Sequence, residues 1–185
     1  MKQPMTIATI IEGCRLGQRS FQKELVERFS PQLITIALRY VPDHAHAQDV
    51  LQDSLVKILT RIDQYKESGS FEGWIRRVVV TTALNLLDRK WMRREVSMEP
   101  ISMDSPVGPD IIDQLAAEDI MRCVATLPEG FRHVFNLYAV EGYRHREIAQ
   151  MLGITEVTSR SYYARSRKLL QAILSNLKTG LRHAE

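Results

Sequence analysis

The sequence predicts an all-α protein of two small helical domains joined by a flexible linker. Apolar residues recur at helical spacing on both sides of a central segment, and no stretch carries the alternating pattern of a strand. Between residues 95 and 110, three prolines and Gly108 interrupt any regular element. We therefore expect a first domain over residues 1–94, a linker over 95–110 and a second domain over 111–185.

The composition of the 185 residues is that of a globular protein, with 44% hydrophobic and 25% charged residues. No apolar run approaches the length of a membrane span, and the N-terminus lacks the features of a secretion signal. The two cysteines, Cys14 and Cys123, are too few for a disulfide framework and suit a reducing cytoplasm. We expect each to be a small buried hydrophobe in a cytoplasmic protein.

In the first domain, the apolar spacing predicts two helices that meet at Pro31, with Ser30 as the cap of the second. A long amphipathic helix is expected over residues 45–62 and another over 71–93. The last contains the β-branched run 78–82, which alone would indicate a strand. Its apolar residues nevertheless fall on one helical face, at positions 71, 74, 75, 78, 82, 83 and 87.

The second domain carries the pattern of a helix-turn-helix between Glu147 and Thr155. Gly153 permits the left-handed turn, and Thr155 is suited to cap a last helix over residues 156–177. The apolar wedge between the two helices would come from Ile148, Leu152 and Ile154. Such a motif places the N-terminal end of its second helix in the major groove of DNA.

Charge is distributed in blocks, although the formal net charge is only +3. Residues 71–94 hold six basic and two acidic residues, 95–119 hold seven acidic and no basic ones, and 144–182 hold eight basic and two acidic ones. Two basic helical blocks favour two separate contacts with a phosphate backbone over ordinary solvated helix faces.

On the last helix, the face near the N-terminus should carry the base contacts. Arg160 is the candidate for a guanine and Glu156 for a cytosine amino group, and Val157 and Ser161 lie beside them. The candidates for phosphate contacts are Thr158, Tyr162, Arg165, Arg167 and Lys168. The inward Ser159 and Ser166 are expected to bond back to carbonyls of the preceding turn.

The first domain combines aromatic and basic residues, which is what holding unpaired bases requires. Spacing on the apolar face predicts that Phe71 and Trp74 pack in the core instead. The residues expected to contact a DNA strand are Lys66, Ser68, Arg76, Arg77, Thr81, Asn85 and Arg89.

Three segments resemble bacterial sigma factors of the extracytoplasmic-function (ECF) group of the sigma-70 family. The segment from Ala47 to Lys57 resembles the Ala-Glu-Asp-(apolar)-(apolar)-Gln-Glu/Asp segment of that group, and Phe71 to Val78 is similar to its Phe-x-x-Trp-Leu-x-Arg-Ile signature. The segment from Leu127 to Leu170 is similar to its second DNA-binding region.

The resemblance implies a non-enzymatic subunit of RNA polymerase with two DNA-reading domains, region 2 for the −10 promoter element and region 4 for the −35 element. It further implies docking on the β′ clamp helices and β flap of core polymerase, and control by an anti-sigma protein. The loop from Tyr65 to Ser70 would capture a flipped base. The implied polymerase-binding residues are Asp49, Gln52, Asp53, Val56 and Lys57.

Two alternatives remain open: a helix-turn-helix regulator that acts without core polymerase, and a helical adaptor that does not bind DNA. The sequence shows no converging catalytic residues and no phosphate-binding glycine loop, so we expect no enzyme activity, cofactor or small-molecule substrate. We also expect no metal site at His44, His46 and Asp49, because their spacing is short and no further ligand is near.

Overall fold

The computed structural model describes residues 5–87 and 117–182, with side chains over 5–87 and 119–175. The chain divides into two compact units, residues 1–87 and 88–185. In the described ranges every regular element is helical, which confirms the all-α prediction. Over the same residues, no helix combines the length and apolar character that crossing a bilayer would need. The expected linker at 95–110, Arg89 and residues 88–93 of the helix expected over 71–93 lie outside the described residues.

Over residues 5–87 the first unit forms four α-helices: α1 (Ile7–Arg15), α2 (Arg19–Tyr40), α3 (His44–Thr60) and α4 (Phe71–Leu86). Polar side chains cap three of them. Thr6 accepts a hydrogen bond from the amide of Thr9 at α1, Asp43 from that of His46 at α3, and Ser70 from that of Gly73 at α4. A short 3₁₀ turn (Ile62–Gln64) and a loop join α3 to α4.

The expected helix boundary at Pro31 is wrong, because α2 runs through the proline without a break. Its buried residues continue on one face across that position: Leu25, Phe29, Leu33, Ile36, Ala37 and Tyr40. A proline inside a helix costs about 3 kcal/mol. Full burial of a single Leu or Ile side chain contributes about 1.5–3 kcal/mol, so a continuous apolar face outweighs that cost. Ser30 caps nothing and instead donates to the carbonyl of Val26 at 2.5 Å.

The β-branched run in α4 is helical, as the apolar face predicted. Val79 and Val80 are also fully buried, although the expected stripe did not include them. The buried surface of α4 is therefore wider than the sequence pattern indicated, because both α2 and α3 pack against it.

The second unit contains α5 (Ala117–Ala125), α6 (Glu129–Phe135), α7 (His145–Leu152) and α8 (Glu156–Arg182). A π-helical turn (Asn136–Val140) continues α6, and the amide of Glu141 donates to the carbonyl of Asn136 at 2.9 Å. One cluster of this unit's core joins α5 to α8 through Cys123, Val124, Leu127, Leu170 and Leu174. Cys14 and Cys123 are both buried in their own units, as expected, and burial raises the pKa of the Cys14 thiol.

Candidate polymerase and nucleic-acid interfaces

The exposed face of α3 carries four of the five expected polymerase-binding residues: Asp49, Gln52, Asp53 and Val56. Their spacing of three and four residues places them side by side on the helix. The opposite side is buried through Ala47, Val50, Ser54 and Ile58. Val56 is 61% exposed, which leaves an apolar side chain at the solvent boundary beside two carboxylates. We call these four residues the α3 face.

Lys57 does not share the α3 face. Its side chain turns toward α4, where Nζ donates to Thr82 Oγ1 at 3.1 Å. Lys57 is half-buried and Thr82 is buried, so this hydrogen bond ties two helices of the unit together.

The loop over residues 65–70 presents Lys66 and Ser68 to solvent and buries Tyr65 beneath them. The Tyr65 ring lies edge-on to Phe71 at 5.3 Å and tilted against Trp74 at 5.8 Å. Its hydroxyl donates to the carbonyl of Gly69 at 2.6 Å. Phe71 is 2% exposed and Trp74 is half-buried, so the predicted core packing of Phe71 is confirmed.

Arg15, at the end of α1, reaches this loop, which sequence reasoning missed. Its guanidinium donates to the carbonyl of Tyr65 at 2.9 Å and to the Glu67 carboxylate at 3.2 Å. Fifty residues separate Arg15 from Tyr65, and no local pattern signals a contact over that distance.

Three of the expected strand-contacting residues of α4 lie exposed at intervals of four: Arg77, Thr81 and Asn85. Arg76 is half-buried beside them. The Thr81 hydroxyl donates to the carbonyl of Arg77 at 2.8 Å. Because the hydroxyl proton is engaged within the helix, Thr81 offers a base only its acceptor lone pairs.

The helix-turn-helix has the geometry that its sequence predicted. Gly153 takes the left-handed conformation with φ 66° and ψ 31° and ends α7. Thr155 Oγ1 accepts from the amide of Thr158 at 3.0 Å and caps α8. Of the three expected wedge residues, Ile148 and Leu152 are buried, at 0% and 1% exposed, and Ile154 is half-buried. The turn at Gly153 and the Thr155 cap therefore define where α8 begins.

The first turns of α8 hold the candidate base contacts. Val157 is 76% exposed. Beside it, Arg160 donates to the Glu156 carboxylate at 2.6 Å, and this hydrogen bond is the main reason that the pKa of Glu156 lies below its usual value. Arg160 is exposed, and Ser161 is half-buried. We call Glu156, Val157, Arg160 and Ser161 the recognition face.

The candidate phosphate contacts lie beside and below the recognition face. Arg167 and Lys168 are exposed, whereas Thr158, Tyr162 and Arg165 are half-buried. The Tyr162 ring meets Phe131 edge-on at 5.0 Å, which fixes its direction by packing within the unit.

A polar and aromatic cluster links the π turn to α7 and α8. The His145 ring stacks on Tyr138 at 4.3 Å and 10°, and Tyr163 lies 4.4 Å from Tyr138. His145 Nδ1 lies 2.9 Å from the hydroxyl of the fully buried Ser159. Ser159 therefore has a partner in α7 that the sequence did not indicate, and its bond to its own helix stays a prediction. Ser166 behaves as expected and donates to the carbonyl of Tyr163 at 2.7 Å.

His46 belongs to a helix cap. Asp43 Oδ1 accepts from the His46 amide at 2.9 Å and lies 2.6 Å from its ring Nδ1, and the backbone hydrogen bond is the main cause of the lowered pKa of Asp43. In the described part of the chain, no three His, Cys, Asp or Glu residues are grouped as a metal ion would need.

Comparison with known proteins places these units in a family. Sigma-70 region 2 matches residues 25–93, and sigma-70 region 4 matches residues 117–170. The chain is 24% identical over 182 residues to the ECF RNA polymerase sigma-E factor of Salmonella typhimurium (strain 14028s), covering 92% of this chain and 95% of that protein. It is 27% identical over 160 residues to the ECF RNA polymerase sigma factor SigE of Mycolicibacterium smegmatis, covering 82% of this chain and 61% of that one.

Among solved structures, the sigma factor RpoE of Bartonella quintana, determined in complex with the anti-sigma factor NepR, has a similar fold. The TM-score is 0.51 at 21% identity, with 83% of this chain and 96% of that chain covered.

The two units and their helix-turn-helix define a DNA-binding transcription factor of the sigma type. The chain belongs to the ECF group of the sigma-70 family and directs transcription from promoters. A helix-turn-helix regulator that acts without polymerase is not favoured.

Proposed function

We propose that the two units divide promoter recognition between them. The first unit docks on core polymerase through the α3 face and holds the melted −10 strand with the 65–70 loop and the exposed side of α4. The second unit reads the −35 element through the recognition face of α8. The observation that supports this most is the recognition face itself, where an arginine, a carboxylate and an apolar side chain project from a capped helix end.

The α3 face suits the role of a polymerase-docking surface. It combines Asp49 and Asp53 with the exposed Val56, so a basic and partly apolar partner surface would complement it. We assign that partner to the β′ clamp helices of core polymerase, with region 4 meeting the β flap. A protein that acts with bacterial polymerase works in the cytoplasm.

The strand-holding role rests on Lys66, Ser68, Arg77 and Asn85, which are exposed on the loop and α4, with Arg76 half-buried beside them. Cations hold the backbone of a single strand, and amide groups hydrogen-bond its bases. Thr81 contributes an acceptor only, as its hydroxyl proton is engaged. Arg89 is assigned to the same strand from the sequence alone.

We also propose that a dedicated anti-sigma protein controls this factor by covering the α3 face. The support is that the similar RpoE structure was determined with an anti-sigma factor. Both binding events would then require a free α3 face, so the anti-sigma protein and core polymerase would compete for it.

Run-off transcription tests the proposal directly. Purified core polymerase is combined with the full chain and a pool of genomic promoter fragments, and the transcripts are sequenced. We expect initiation from a subset of fragments that share two spaced elements. Initiation that is unchanged by adding the chain would overturn the proposal.

A matched pair of variants sharpens that test. Asp53→Ala removes a carboxylate from the α3 face and should lower affinity for core polymerase. Glu27→Gln breaks an exposed ion pair with Lys23 in α2, where the two charges lie 3.6 Å apart, and should leave that affinity unchanged. Equal effects of the two variants would contradict the docking role of the α3 face.

A further inference from the structure

The 65–70 loop is held from outside by one side chain of α1. Arg15 Nη2 donates to the carbonyl of Tyr65 at 2.9 Å, and Nη1 lies 3.2 Å from Glu67 Oε1 and 3.7 Å from Glu12 Oε2. The Arg15 side chain is only 26% exposed. The guanidinium fork thus contacts two points of the loop through two separate nitrogens, a planar two-nitrogen geometry that an ammonium group lacks.

Those two points lie on either side of Lys66, the residue assigned to the promoter strand. Glu67 has a positive φ of 58°, a left-handed conformation that few residues other than glycine adopt. In that conformation the Glu67 carboxylate pairs with Arg15. The backbone reversal leaves Lys66 and Ser68 exposed while the Tyr65 ring stays buried.

Hydrogen bonds made by Tyr65 and Ser70 also restrain the loop. The Tyr65 hydroxyl donates to the carbonyl of Gly69 at 2.6 Å, and Ser70 caps α4. A loop already held in one conformation loses little conformational entropy when a ligand binds to it. Arg15 engages the Tyr65 carbonyl and the Glu67 carboxylate, which neither of these local hydrogen bonds involves.

We propose that Arg15 is a positioning residue for strand capture: it holds the 65–70 loop in the conformation in which the loop receives an unpaired promoter base. This inference rests on the proposed function, in which the loop contacts the melted strand. Arg15 lies before residue 25, where the match to sigma-70 region 2 begins, so the positioning group comes from outside the matched segment.

The alternative is that Arg15 only fastens α1 to the rest of the unit. A purely structural role would weaken every activity of the unit equally. A positioning role affects one step, the recognition of the captured base, and leaves contacts with the other bases unchanged. The experiment therefore has to measure binding base by base.

The measurement uses holoenzyme assembled from core polymerase and the full chain. The probe is a promoter, isolated from genomic fragments by that holoenzyme, with its −10 region already unpaired. An abasic site replaces each non-template base in turn, and affinity is compared with the intact strand. For the wild-type chain we expect about a tenfold loss at the captured position, the size of one lost stacking contact.

In Arg15→Gln, the loss at that position should fall to nearly none, while losses at the other positions stay the same. Arg15→Lys should give an intermediate loss, because it keeps the charge without the fork.

Glu67→Gln is a second variant at an exposed site. It removes the ion pair but leaves the bond to Tyr65, so we expect a smaller change in the same direction. Glu27→Gln is the matched control and should behave as wild type.

Three results overturn the inference while leaving the proposed function intact. The first is that the Arg15 variants keep the wild-type loss at the captured position, and the second is that they weaken binding equally at all positions. The third is that the wild-type holoenzyme binds the unpaired probe but no single base proves sensitive. A wild-type holoenzyme that does not bind the melted strand would overturn the proposed function and this inference together.

Discussion

Arg160 and Glu156 neutralise each other in the unbound protein, with a guanidinium nitrogen 2.6 Å from a carboxylate oxygen one turn earlier in α8. Both side chains were expected to read bases. An exposed ion pair is weak and screened by salt, whereas a bidentate contact between arginine and guanine discriminates guanine from the other bases by about 1–3 kcal/mol. Exchanging the carboxylate for a guanine is therefore favourable.

Arg160→Ala should weaken binding to the −35 element by about 1–3 kcal/mol at the preferred base and relax the preference there. The measurement is affinity across promoters that carry each base at each −35 position. Lys168→Ala is the comparison, since a phosphate contact should weaken binding to all sequences alike and reduce the salt dependence. Equal losses for the two variants that do not depend on sequence would show that Arg160 reads no base.

Val157 should contact a thymine methyl group, because its side chain is the most exposed of the large hydrophobic residues on the described part of the chain and points from the recognition face. Replacing thymine by uracil removes only that methyl group. We expect one uracil in the −35 element to lower wild-type affinity by roughly 1 kcal/mol, the value of about one buried methylene. Val157→Ala should abolish this difference. Uracil scanning that leaves wild-type affinity unchanged at every position would contradict the assignment.

Lys57 and Asp53 are close in sequence, but Lys57 should contribute to the stability of the first unit and Asp53 to its affinity for core polymerase. Lys57→Ala removes the hydrogen bond to Thr82 and should destabilise the first unit by about 1 kcal/mol. Asp53→Ala should leave the thermal transition unchanged and lower affinity for core polymerase instead. Thermal denaturation and a polymerase pull-down of both variants separate the two roles. A Lys57→Ala chain as stable as wild type would show that the contact with α4 is not stabilising.

The second unit should lose stability as the pH falls. Burial is the main cause of the lowered pKa of His145, the nearby charge of Arg160 adds to it, and Glu156 acts in the opposite direction. A histidine whose folded pKa lies below its unfolded value of about 6.5 contributes its full stability above that value. The contribution is lost as the pH falls through the folded pKa, because the unfolded chain binds the proton first.

The check is thermal denaturation of the full chain above and below pH ~6.5. His145→Asn removes the titrating group and keeps a polar nitrogen near Ser159. The midpoint of this variant should fall less on acidification than that of the wild type. An identical fall in both chains would assign the acid sensitivity to other groups.

The sequence predicted most of the fold and the orientation of most candidate residues, because amphipathic spacing and caps are local properties. Gly153, Thr155 and the α3 face are examples. The failures concern contacts between distant residues. The path of α2 through Pro31 depends on a face buried by other helices, and Lys57 turns away from the α3 face because Thr82 lies within reach, 25 residues later in the chain.

The partners of Arg15 and Ser159 belong to the same group of failures. Arg15 meets Tyr65 fifty residues on, and Ser159 meets His145 across the helix-turn-helix. A serine on an inward helical position has a carbonyl of its own helix within range, so local rules favour that acceptor. Only the packing of α7 against α8 brings in a competing ring.

Because a π-helical turn runs from Asn136 to Val140, the direction in which α7 and α8 leave α6 depends on the number of residues in that turn. It accommodates one residue more per hydrogen-bonded turn than an α-helix, and each residue of an α-helix rotates the chain by about 100°. Tyr138, within that turn, thereby comes to stack on His145. Loss of a single residue here would re-aim α7 and α8 about the axis of α6, so substitutions should be tolerated in this stretch far better than changes in its length.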